Sequence, residues 1–489
     1  MFQHDTNKDP LINQLRALLP ASCIVSDPTS MKPYECDGLS AYRQQPRVVV
    51  LPDTVEQVQA VMKLCQQTKT PIVPRGAGTS LCGGAMPHKD GVVLSVAKLN
   101  RILHIDEQNR TARLQAGVRN LAISEAVEHL GLYYAPDPSS QIACTIGGNV
   151  AENAGGVHCL KYGLTVHNIL QVKMVTLDGE LICLGSTGLD APGYDLMALM
   201  MGSEGMLGIV IEVVVRLLPK PDVARVLLAA FDNIEQAGIA VASVIAAGVI
   251  PAGFELMDQA AIRASEDFVQ AGYPTDAAAI LLCELDGDEE DVGAQTDKVE
   301  ALLRSSGATD IRVAADELER AQFWSGRKNA FPAMGRISPD YYCMDGTIPR
   351  KELGNVLGKI SQLSEKHGLR VANVFHAGDG NLHPLILYDA NRSGELQRAE
   401  EFGGEILDLC VAVGGTITGE HGVGVEKIDR MCMQFDDVSL AQFREIRKAF
   451  DPNGLLNPDK SVPTLARCAE FNAMHVHHGQ LPHPELERF

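Results

Sequence analysis

The chain has 489 residues, of which 45% are hydrophobic and 21% are charged, a composition typical of a globular protein with two or three domains. Its formal net charge of −20 argues against a polyanionic partner such as nucleic acid or an anionic membrane surface. The chain starts with a polar segment, and its longest apolar run, over 237–250, is too short to cross a bilayer. The sequence therefore predicts neither a signal peptide nor a direct membrane span.

The twelve cysteines are scattered, and no two of them have a CxxC spacing. This pattern predicts neither an iron–sulfur cluster nor a zinc ribbon. It favours reduced thiols in the cytoplasm. Any membrane association would then be peripheral or through partner proteins.

Apolar runs alternate with a helical pattern along the first 220 residues. Strands are predicted over 47–51, 71–74, 91–96 and 209–218, and a helix is predicted over 54–67 from the spacing of its apolar residues. Glycine-rich stretches lie at 75–84, 145–156 and 202–208. The prolines at 219 and 221 indicate a domain boundary.

The second half of the chain repeats a strand–helix–strand order. Strands are predicted over 225–231, 252–257, 278–285 and 310–314, with helices over 233–247 and 291–306. This order is the split βαβ pattern of a ferredoxin-like sheet. We expect an α+β fold with an N-terminal segment (1–40), one domain over 41–220, a second over 221–465 and a His-rich tail over 466–489.

The first glycine-rich stretch, PRGAGTSLCGG over 74–84, directly follows a predicted strand. Glycine permits positive φ angles and close approach, and several backbone N–H groups directed at one point suit a pyrophosphate. A dinucleotide fingerprint is excluded because Leu81 stands where its third glycine is needed. A P-loop is excluded because no Gly-Lys-Ser/Thr follows. An ordinary glycine-rich turn remains an alternative on these residues alone.

The second stretch, over 136–156, combines small residues, hydroxyls and amides with little helical or strand periodicity. Its apolar members favour a buried strip against a flat ligand over a purely solvated loop. Asn149 and Asn153 could bond the edge of a heteroaromatic ring, and Gly147 and Gly148 would let the ring approach. The third stretch, GSEGMLGIV over 202–210, indicates no more than a turn that leads into a strand.

Two loops, HAGDGNLHP over 376–384 and TGEHGVG over 418–424, carry the candidate catalytic residues. The turn between His376 and His383 would bring two strand ends together. Glu420 and His421 lie in the second, glycine-bounded loop. Two histidines and a glutamate form a plausible catalytic metal set that leaves positions open for water or substrate. The alternative is a structural role for the histidines.

The stretch FWSGRKNAF over 323–331 contains the only tryptophan and Arg327. Arg327 could clamp a carboxylate with two hydrogen bonds. On these residues alone, a partly exposed helix with Arg327 and Lys328 on its solvent-exposed face is slightly favoured. The stretch HVHHG over 475–479 could bind a metal, but no carboxylate or cysteine follows at ligand spacing. Packing or a partner contact is therefore favoured for the tail.

In this order, the motifs resemble the vanillyl-alcohol-oxidase type of flavoproteins, also called the PCMH-type FAD-binding family, over roughly residues 40–465. PRGAGTS and IGGN…NAGG resemble its two FAD segments, and HAGDGNLH and GEHGVG resemble its D-2-hydroxy-acid dehydrogenase branch. The resemblance implies a PCMH-type FAD-binding domain followed by a ferredoxin-like cap domain. It also implies non-covalent FAD, because neither Cys82 nor His88 fits the pattern of a covalent flavin attachment.

The same resemblance assigns residues to the cofactor. Residues from Arg75 to Ser80 would hold the pyrophosphate, residues between 136 and 156 would line the flavin and ribose, and Ile209 would lie on the adenine side. The full set implied to bind FAD is Pro74, Arg75, Gly76, Ala77, Gly78, Thr79, Ser80, Gly83, Pro136, Asp137, Thr145, Gly147, Gly148, Asn149, Ala154, Gly156, Tyr162, Gly163, Glu204, Gly208 and Ile209.

The resemblance also implies catalytic roles. His376, His383 and Glu420 would hold a divalent metal, either Zn or Mn. His421 would be the catalytic base, and Arg327 would bind the substrate carboxylate.

The size of the substrate is indicated by three apolar residues. Relatives that act on a longer diacid place polar groups near the positions of Phe331, Met344 and Leu385. Apolar side chains at these positions leave nothing to pair with a distal carboxylate. The resemblance therefore implies a short monoacid.

Further stretches, including YECDGLSAYR over 34–43 and ISPDYYCMDGTIPR over 337–350, resemble a subgroup of this branch: FAD-carrying subunits of bacterial oxidase complexes. This implies oxidation of glycolate, with D-lactate close behind, to glyoxylate or pyruvate. It also implies a hetero-complex with an iron–sulfur subunit and a second FAD-type subunit at the inner face of the membrane. The alternatives are a stand-alone D-lactate dehydrogenase and a flavin-binding assembly subunit without catalysis.

Overall fold

The computed structural model describes residues 9–188 and 193–463, so the predicted tail lies outside the described residues. We call the part up to Pro219 the N-terminal module. Its strands are β1 (Ile24–Val25), β2 (Val48–Val50), β3 (Ile72–Arg75), β4 (Val92–Ser95), β5 (Ile102–Asp106), β6 (Thr111–Gln115), β7 (Leu132–Tyr133), β8 (Ile169–Val175), β9 (Leu181–Gly185), β10 (Ile209–Arg216) and β11 (Leu218–Pro219). Its helices are α1 (Pro10–Leu18), α2 (Pro28–Met31), α3 (Val55–Thr68), α4 (Asn120–Val127), α5 (Ile146–Glu152), α6 (Cys159–Tyr162), α7 (Thr165–Asn168) and α8 (Leu196–Met200).

The first sheet has the order β1-β2-β4-β3, and β2 and β3 are both parallel to β4. Helix α3 connects β2 to β3. It begins where the Thr54 hydroxyl accepts a hydrogen bond from the backbone N–H of Gln57, a common N-cap arrangement. Its Val58 and Val61 pack into the core. Strand β3 then leads directly into the first glycine-rich stretch, as the sequence predicted.

The second sheet is antiparallel, with the order β5-β6-β10-β8-β9. It shares one hydrophobic core with the first sheet and with Leu11 and Leu15 of α1. Leu455 and Leu456, near the end of the described chain, join the same core, and Leu456 bridges to Ile72 of β3. The chain therefore returns to its N-terminal module after it has formed the second one.

The C-terminal module begins at Val223 and is built around one large sheet. Its strands are β12 (Val223–Phe231), β13 (Gly253–Asp258), β14 (Ala279–Gly287), β15 (Asp310–Val313), β16 (Asp340–Cys343), β17 (Gly346–Thr347), β18 (Val371–His376), β19 (Asn381–Leu382) and β20 (Pro384–Tyr388). Its helices are α9 (Ile234–Ala246), α10 (Gln259–Val269), α11 (Glu289–Ser305), α12 (Glu317–Lys328), α13 (Ala330–Ala333), α14 (Leu353–His367), α15 (Glu395–Ala412), α16 (Met431–Gln434) and α17 (Asp437–Phe450).

The antiparallel order β15-β12-β14-β13 confirms the predicted ferredoxin-like arrangement. Strand β18 extends this sheet beyond β13 and places His376 opposite Glu255. The tight turn after β18 returns the chain through β19, where Asn381 pairs with His376. This turn brings His376 and His383 to the same sheet edge, as the spacing predicted.

Helix α5 is a difference from the sequence prediction, which expected an irregular segment at this point. The Thr145 hydroxyl accepts a hydrogen bond from the backbone N–H of Gly148 and starts the helix. Asn153, with a φ of 52°, ends it in the left-handed conformation. Seven residues rich in glycine are too few to show helical periodicity, so the caps determine this helix.

Along the part of the chain that the structure describes, no helix combines the length and the apolar character needed to cross a membrane.

Candidate active site

A cavity of about 390 Å³ lies between the two modules. All three glycine-rich stretches of the N-terminal module contribute to its wall. The C-terminal module contributes Lys328, Phe331, Tyr341, His383, Glu420 and His421. The cavity is therefore bounded on one side by the predicted cofactor loops and on the other by the predicted base His421 and two of the three predicted metal ligands, His383 and Glu420.

Most of the residues predicted to bind the cofactor line this cavity. They are Pro74, Arg75, Gly76, Ala77, Gly78, Thr79, Ser80, Thr145, Gly147, Gly148, Asn149, Ala154, Glu204, Gly208 and Ile209. Gly83, Pro136, Asp137, Gly156, Tyr162 and Gly163 do not line it. Tyr162 donates to Asp286 of the C-terminal module instead, and Asp137 bonds the ring of His158, which in turn bridges to Glu284 of that module.

The first two glycine-rich stretches approach each other so closely that a side chain would not fit between them. A Cβ atom at Gly76 would lie 2.2 Å from the Oγ1 atom of Thr145. Gly78 has a φ of 72°, which residues with a side chain rarely adopt. Because these glycines have no side chains, nothing of their own covers their backbone N–H groups on the side of the cavity, which suits a bound pyrophosphate.

The guanidinium of Arg75 does not extend freely into the cavity. It donates hydrogen bonds to the carbonyl oxygens of Cys36 (2.8 Å) and Pro33 (3.2 Å) and lies over the ring of Tyr34. The side chain therefore fixes the segment before β2, so a pyrophosphate at this loop would depend chiefly on backbone N–H groups.

The three predicted metal ligands converge. One potential ligand atom from each of His376, His383 and Glu420 lies within 4.8 Å of the other two. Glu420 Oε1 lies 3.0 Å from His383 Nε2 and 3.4 Å from His376 Nε2. Two imidazole nitrogens and a carboxylate suit Zn²⁺ or Mn²⁺, so these side chains fit a divalent metal.

Two other groups of side chains also have ligand spacing. One combines Cys343 with His383 and His421, and the other combines Cys82 with Glu152 and Glu204. Burial raises the pKa of both thiols well above the ordinary value, so a metal at either place would have to displace the proton of a buried thiol. The set of His376, His383 and Glu420 is the one that the sequence motifs predicted.

His421 lies on the cavity wall beside this set. Its ring stacks on that of His383, with 4.9 Å between the ring centroids. Burial lowers the pKa of His421 to about 4, although the charge of Asp345 opposes this shift. The imidazole is therefore neutral at neutral pH, and its Nδ1 atom has no hydrogen-bond partner among the described residues. A neutral imidazole in this position can accept a proton.

The loop that carries Glu420 and His421 is fixed by a buried carboxylate, Asp345. Asp345 Oδ2 accepts hydrogen bonds from the Thr418 hydroxyl (2.6 Å), from the backbone N–H groups of Gly419 (3.0 Å) and His421 (3.0 Å), and from the ammonium of Lys427 (3.0 Å). The charge of Lys427 overcomes the effect of burial and holds the pKa of Asp345 well below its usual range. Asp345 therefore remains ionised at neutral pH.

The N-terminal module holds the same loop from the opposite side. The Ser80 hydroxyl donates to the carbonyl oxygen of His421 (3.1 Å). Glu204 accepts hydrogen bonds from the backbone N–H groups of Val423 (2.8 Å) and Gly424 (2.7 Å). A Cβ atom at Gly155 would lie 2.4 Å from Glu420 Oε2. All three glycine-rich stretches thus contact the catalytic loop as well as the cavity.

Arg327 is buried rather than exposed, with 2% of its surface accessible. This contradicts the alternative interpretation of the stretch over 323–331, in which Arg327 lies on the solvent-exposed face of a helix. Its Nε atom donates to Glu255 (2.7 Å), and the cavity wall includes its neighbour Lys328 but not Arg327. The Nη2 atom lies 2.7 Å from the same carboxylate oxygen but makes no hydrogen bond of good geometry within the described ranges. Arg327 is therefore ion-paired with Glu255, and its role as an anchor for a substrate carboxylate stays a prediction.

The three apolar residues predicted to limit substrate size lie at different depths. Phe331 lines the cavity, and its ring centroid is 6.3 Å from that of His383. Met344 and Leu385 are buried behind the wall. Of these three residues, Phe331 is therefore the one that lines the cavity.

The sequence prediction missed Glu255, Asp345 and Lys427. Each is a charged residue in a short apolar or glycine-rich stretch: FELM, CMDG and GVGVEK. Glu255 and Asp345 are isolated charges, and such a charge in an apolar context is rarely buried unless it is paired, so for these two the signal was available in the sequence. Lys427 follows Glu426 directly and gave no such signal.

Two family models match the chain. The FAD binding domain matches residues 46–185, and the C-terminal domain of FAD linked oxidases matches residues 220–461. The chain belongs to the FAD-linked oxidase family. As a member of this family it is an FAD-dependent oxidoreductase.

Curated relatives of this FAD-linked oxidase cover almost its full length. It is 62% identical to the glycolate oxidase subunit GlcD of Escherichia coli (strain K12) over 99% of this chain and 97% of that protein. It is 31% identical to the D-lactate dehydrogenase of Anaerostipes hadrus over 94% and 98% of the two chains. A structure of p-cresol methylhydroxylase with substrate bound aligns with a TM-score of 0.79 at 20% identity, over 95% of this chain and 98% of that one. This last likeness shows the PCMH-type fold alone.

Proposed function

We propose that this protein oxidises glycolate to glyoxylate with FAD bound non-covalently between its modules. The observation that carries the proposal is the position of His421, a half-buried neutral imidazole stacked on His383 at the wall of the cavity that the predicted FAD-binding loops line. Cys82 is fully buried and does not line that cavity, which supports non-covalent attachment.

The residues have separate tasks in the proposed reaction. Arg327, which Glu255 holds beside His376, would bind the substrate carboxylate, and His421 would take the hydroxyl proton. FAD supplies the acceptor for the hydride that leaves C2. A divalent metal held by His376, His383 and Glu420 would supply positive charge that lowers the pKa of a nearby hydroxyl. The loop contacts of Asp345 and Ser80 keep His421 directed into the cavity.

The preference for a short monoacid rests on Phe331. Its ring lies close to His383 and forms an edge-to-face pair with Tyr341, with 6.0 Å between the centroids. An aromatic surface cannot compensate the charge of a second carboxylate. The high identity to a glycolate oxidase subunit supports glycolate, and the more distant lactate dehydrogenase makes D-lactate, which adds one methyl group, the second candidate substrate.

We further propose that electrons leave the flavin to partner subunits rather than to oxygen. The relative with 62% identity is itself a subunit of an oxidase. In the proposed assembly, an iron–sulfur subunit and a second FAD-type subunit accept the electrons and hold this chain peripherally at the cytoplasmic face of the membrane.

Steady-state oxidation with an artificial electron acceptor tests the activity. The purified FAD-loaded chain is assayed with glycolate, D-lactate, L-lactate and D-2-hydroxyglutarate. The proposal predicts the highest kcat/KM for glycolate, a lower value for D-lactate and negligible turnover of the diacid. A higher kcat/KM for the diacid would contradict the assignment to Phe331. Stoichiometric FAD without turnover of any hydroxy acid would favour a non-catalytic flavin subunit.

A further inference from the structure

Glu255 is a buried carboxylate that contacts two of the proposed functional residues at once. It lies in β13, opposite His376 of β18, and 1% of its surface is accessible. Its Oε1 atom lies 2.8 Å from His376 Nδ1, and its Oε2 atom accepts a hydrogen bond of 2.7 Å from Arg327 Nε. One side chain thus connects the candidate carboxylate anchor with a candidate metal ligand.

The bond to His376 has a defined direction. Glu255 forms an ion pair with Arg327, whose Nη2 atom lies 2.7 Å from Oε2. A carboxylate in such a pair accepts hydrogen bonds, so Nδ1 of His376 is the donor. Nε2 is then the nitrogen that faces His383 and Glu420, and it is the one that can bind a metal.

We propose that Glu255 is a positioning residue that sets the tautomer and ring orientation of His376 for metal binding and fixes the guanidinium of Arg327 beside it. The inference rests on the metal site of the proposed function. Carboxylates that accept from the second nitrogen of a metal-bound histidine raise its basicity and hold its ring. Here the same carboxylate also holds an arginine, so loss of Glu255 would disturb two contacts of the substrate together.

A second buried glutamate, Glu284, bonds a histidine and an arginine as Glu255 does, but its histidine is not a candidate metal ligand. Glu284, on the adjacent strand β14, bridges His158 Nε2 (3.2 Å) and Arg320 Nη1 (2.9 Å). It is also buried, and Arg320 lies on the same helix, α12, as Arg327. His158 bonds Asp137 through its other nitrogen, so its ring has no position for a metal. Glu284→Gln therefore removes a comparable buried charge away from the candidate metal site.

The experiment compares the wild type with Glu255→Gln, Glu255→Asp and Glu284→Gln, each loaded with FAD and freed of metal by a chelator. Mn²⁺ is titrated into each protein, and free Mn²⁺ is followed by electron paramagnetic resonance. FAD content and the midpoint of thermal unfolding are measured on the same samples. The KM and kcat for glycolate are measured at saturating Mn²⁺.

Glu255→Gln is expected to raise the Kd for Mn²⁺ about 10- to 100-fold. One of its amide atoms must mismatch either His376 or Arg327, and for this reason KM for glycolate is also expected to rise at saturating Mn²⁺. Glu255→Asp keeps the charge and should lose less affinity. Glu284→Gln should bind Mn²⁺ as the wild type does, even where its unfolding midpoint falls as far as that of Glu255→Gln.

Two results would overturn the inference while the proposed function stands, both with a wild type that binds Mn²⁺ and oxidises glycolate. The first is a Glu255→Gln variant that binds Mn²⁺ as tightly as the wild type. The second is an equal loss of Mn²⁺ affinity in Glu255→Gln and Glu284→Gln. A wild type that oxidises glycolate but binds no Mn²⁺ would overturn the inference and the metal site, but not the substrate. A wild type that binds Mn²⁺ but does not oxidise glycolate would contradict the proposed activity alone.

Discussion

Replacement of Lys427 by methionine is expected to destabilise the C-terminal module strongly. Lys427 and Asp345 are both fully buried, and their charged atoms lie 3.0 Å apart. The ammonium also donates to the carbonyl oxygen of Gly422 (3.0 Å). Methionine keeps most of the aliphatic volume but leaves the Asp345 carboxylate buried without a counter-charge. Removing one partner of a buried pair costs about 3–5 kcal/mol.

The remaining contacts of Asp345 place the expected loss within this range. Its carboxylate still accepts hydrogen bonds from Thr418, Gly419 and His421 in the variant, and these partly stabilise the charge. We therefore expect the free energy of unfolding to fall by about 3 kcal/mol, at the lower end. The loop that carries His421 should also loosen, because Asp345 is its anchor.

Guanidinium unfolding, followed by the fluorescence of the single tryptophan, Trp324, measures this loss. Trp324 is buried in α12 of the same module, so its emission reports on the relevant core. Where the denaturant slopes agree, the shift in midpoint gives the change in free energy. Lys98→Met is the matched control, since the ion pair of Lys98 with Asp53 is partly exposed (32% and 44%) and such pairs contribute less than about 1 kcal/mol.

A loss for Lys427→Met no larger than that for Lys98→Met would refute this reasoning. The double variant with Asp345→Asn provides a second check. Because it removes both charges, its loss should be smaller than the sum of the two single losses. Additive losses would show that the two charges do not stabilise each other.

Three further predictions concern pH, substrate binding and assembly. Burial raises the pKa of Glu426 to about 8, so the folded protein holds this proton more tightly than the unfolded chain. The free energy of unfolding therefore falls as the pH rises from about 4.5 to 8, by up to about 1.4 kcal/mol per pH unit. Glu426→Gln should therefore unfold at higher denaturant than the wild type at pH 8, with a gap that narrows toward pH 5; a gap independent of pH would contradict this. Arg327→Lys should raise KM for glycolate strongly while flavin absorbance stays normal, because a lysine cannot replace a planar two-pronged donor; unchanged kinetics would exclude the clamp. Deletion of 470–489 should leave substrate-driven flavin reduction intact and weaken co-elution with partner subunits on size exclusion; equal co-elution would contradict a contact role for the tail.

The elements that the sequence predicted well are those whose pattern is local. Strand β2 is a run of three buried valines, and α3 combines an apolar stripe with the Thr54 cap, so hydrophobic periodicity alone identifies both. The turn between His376 and His383 is equally local. Helix α5 was missed because its short glycine-rich stretch has no periodicity and its two caps decide its conformation.

The sequence predicts which residues form the candidate site, but it does not predict the residues that hold them in place. His376, His383, Glu420 and His421 stand in two short motifs. Glu255 reaches His376 from β13, 121 residues away, and Asp345 reaches His421 from between β16 and β17, 76 residues away. Such pairings depend on the register of β13 with β18 and on the path of the loop, which no local pattern encodes. Arg75 and Arg327 illustrate the same limit, because their partners lie 39 and 72 residues away.

The most direct test of the central claim is the anaerobic reduction of the bound flavin by glycolate, followed by its absorbance in the wild type and in His421→Ala. The account predicts rapid bleaching of the wild type. It predicts bleaching slower by about 100-fold or more in His421→Ala at equal FAD content, because the hydroxyl proton then has no acceptor. A variant that bleaches at the wild-type rate would show that the base lies elsewhere. A wild type that glycolate does not bleach would contradict the claim itself.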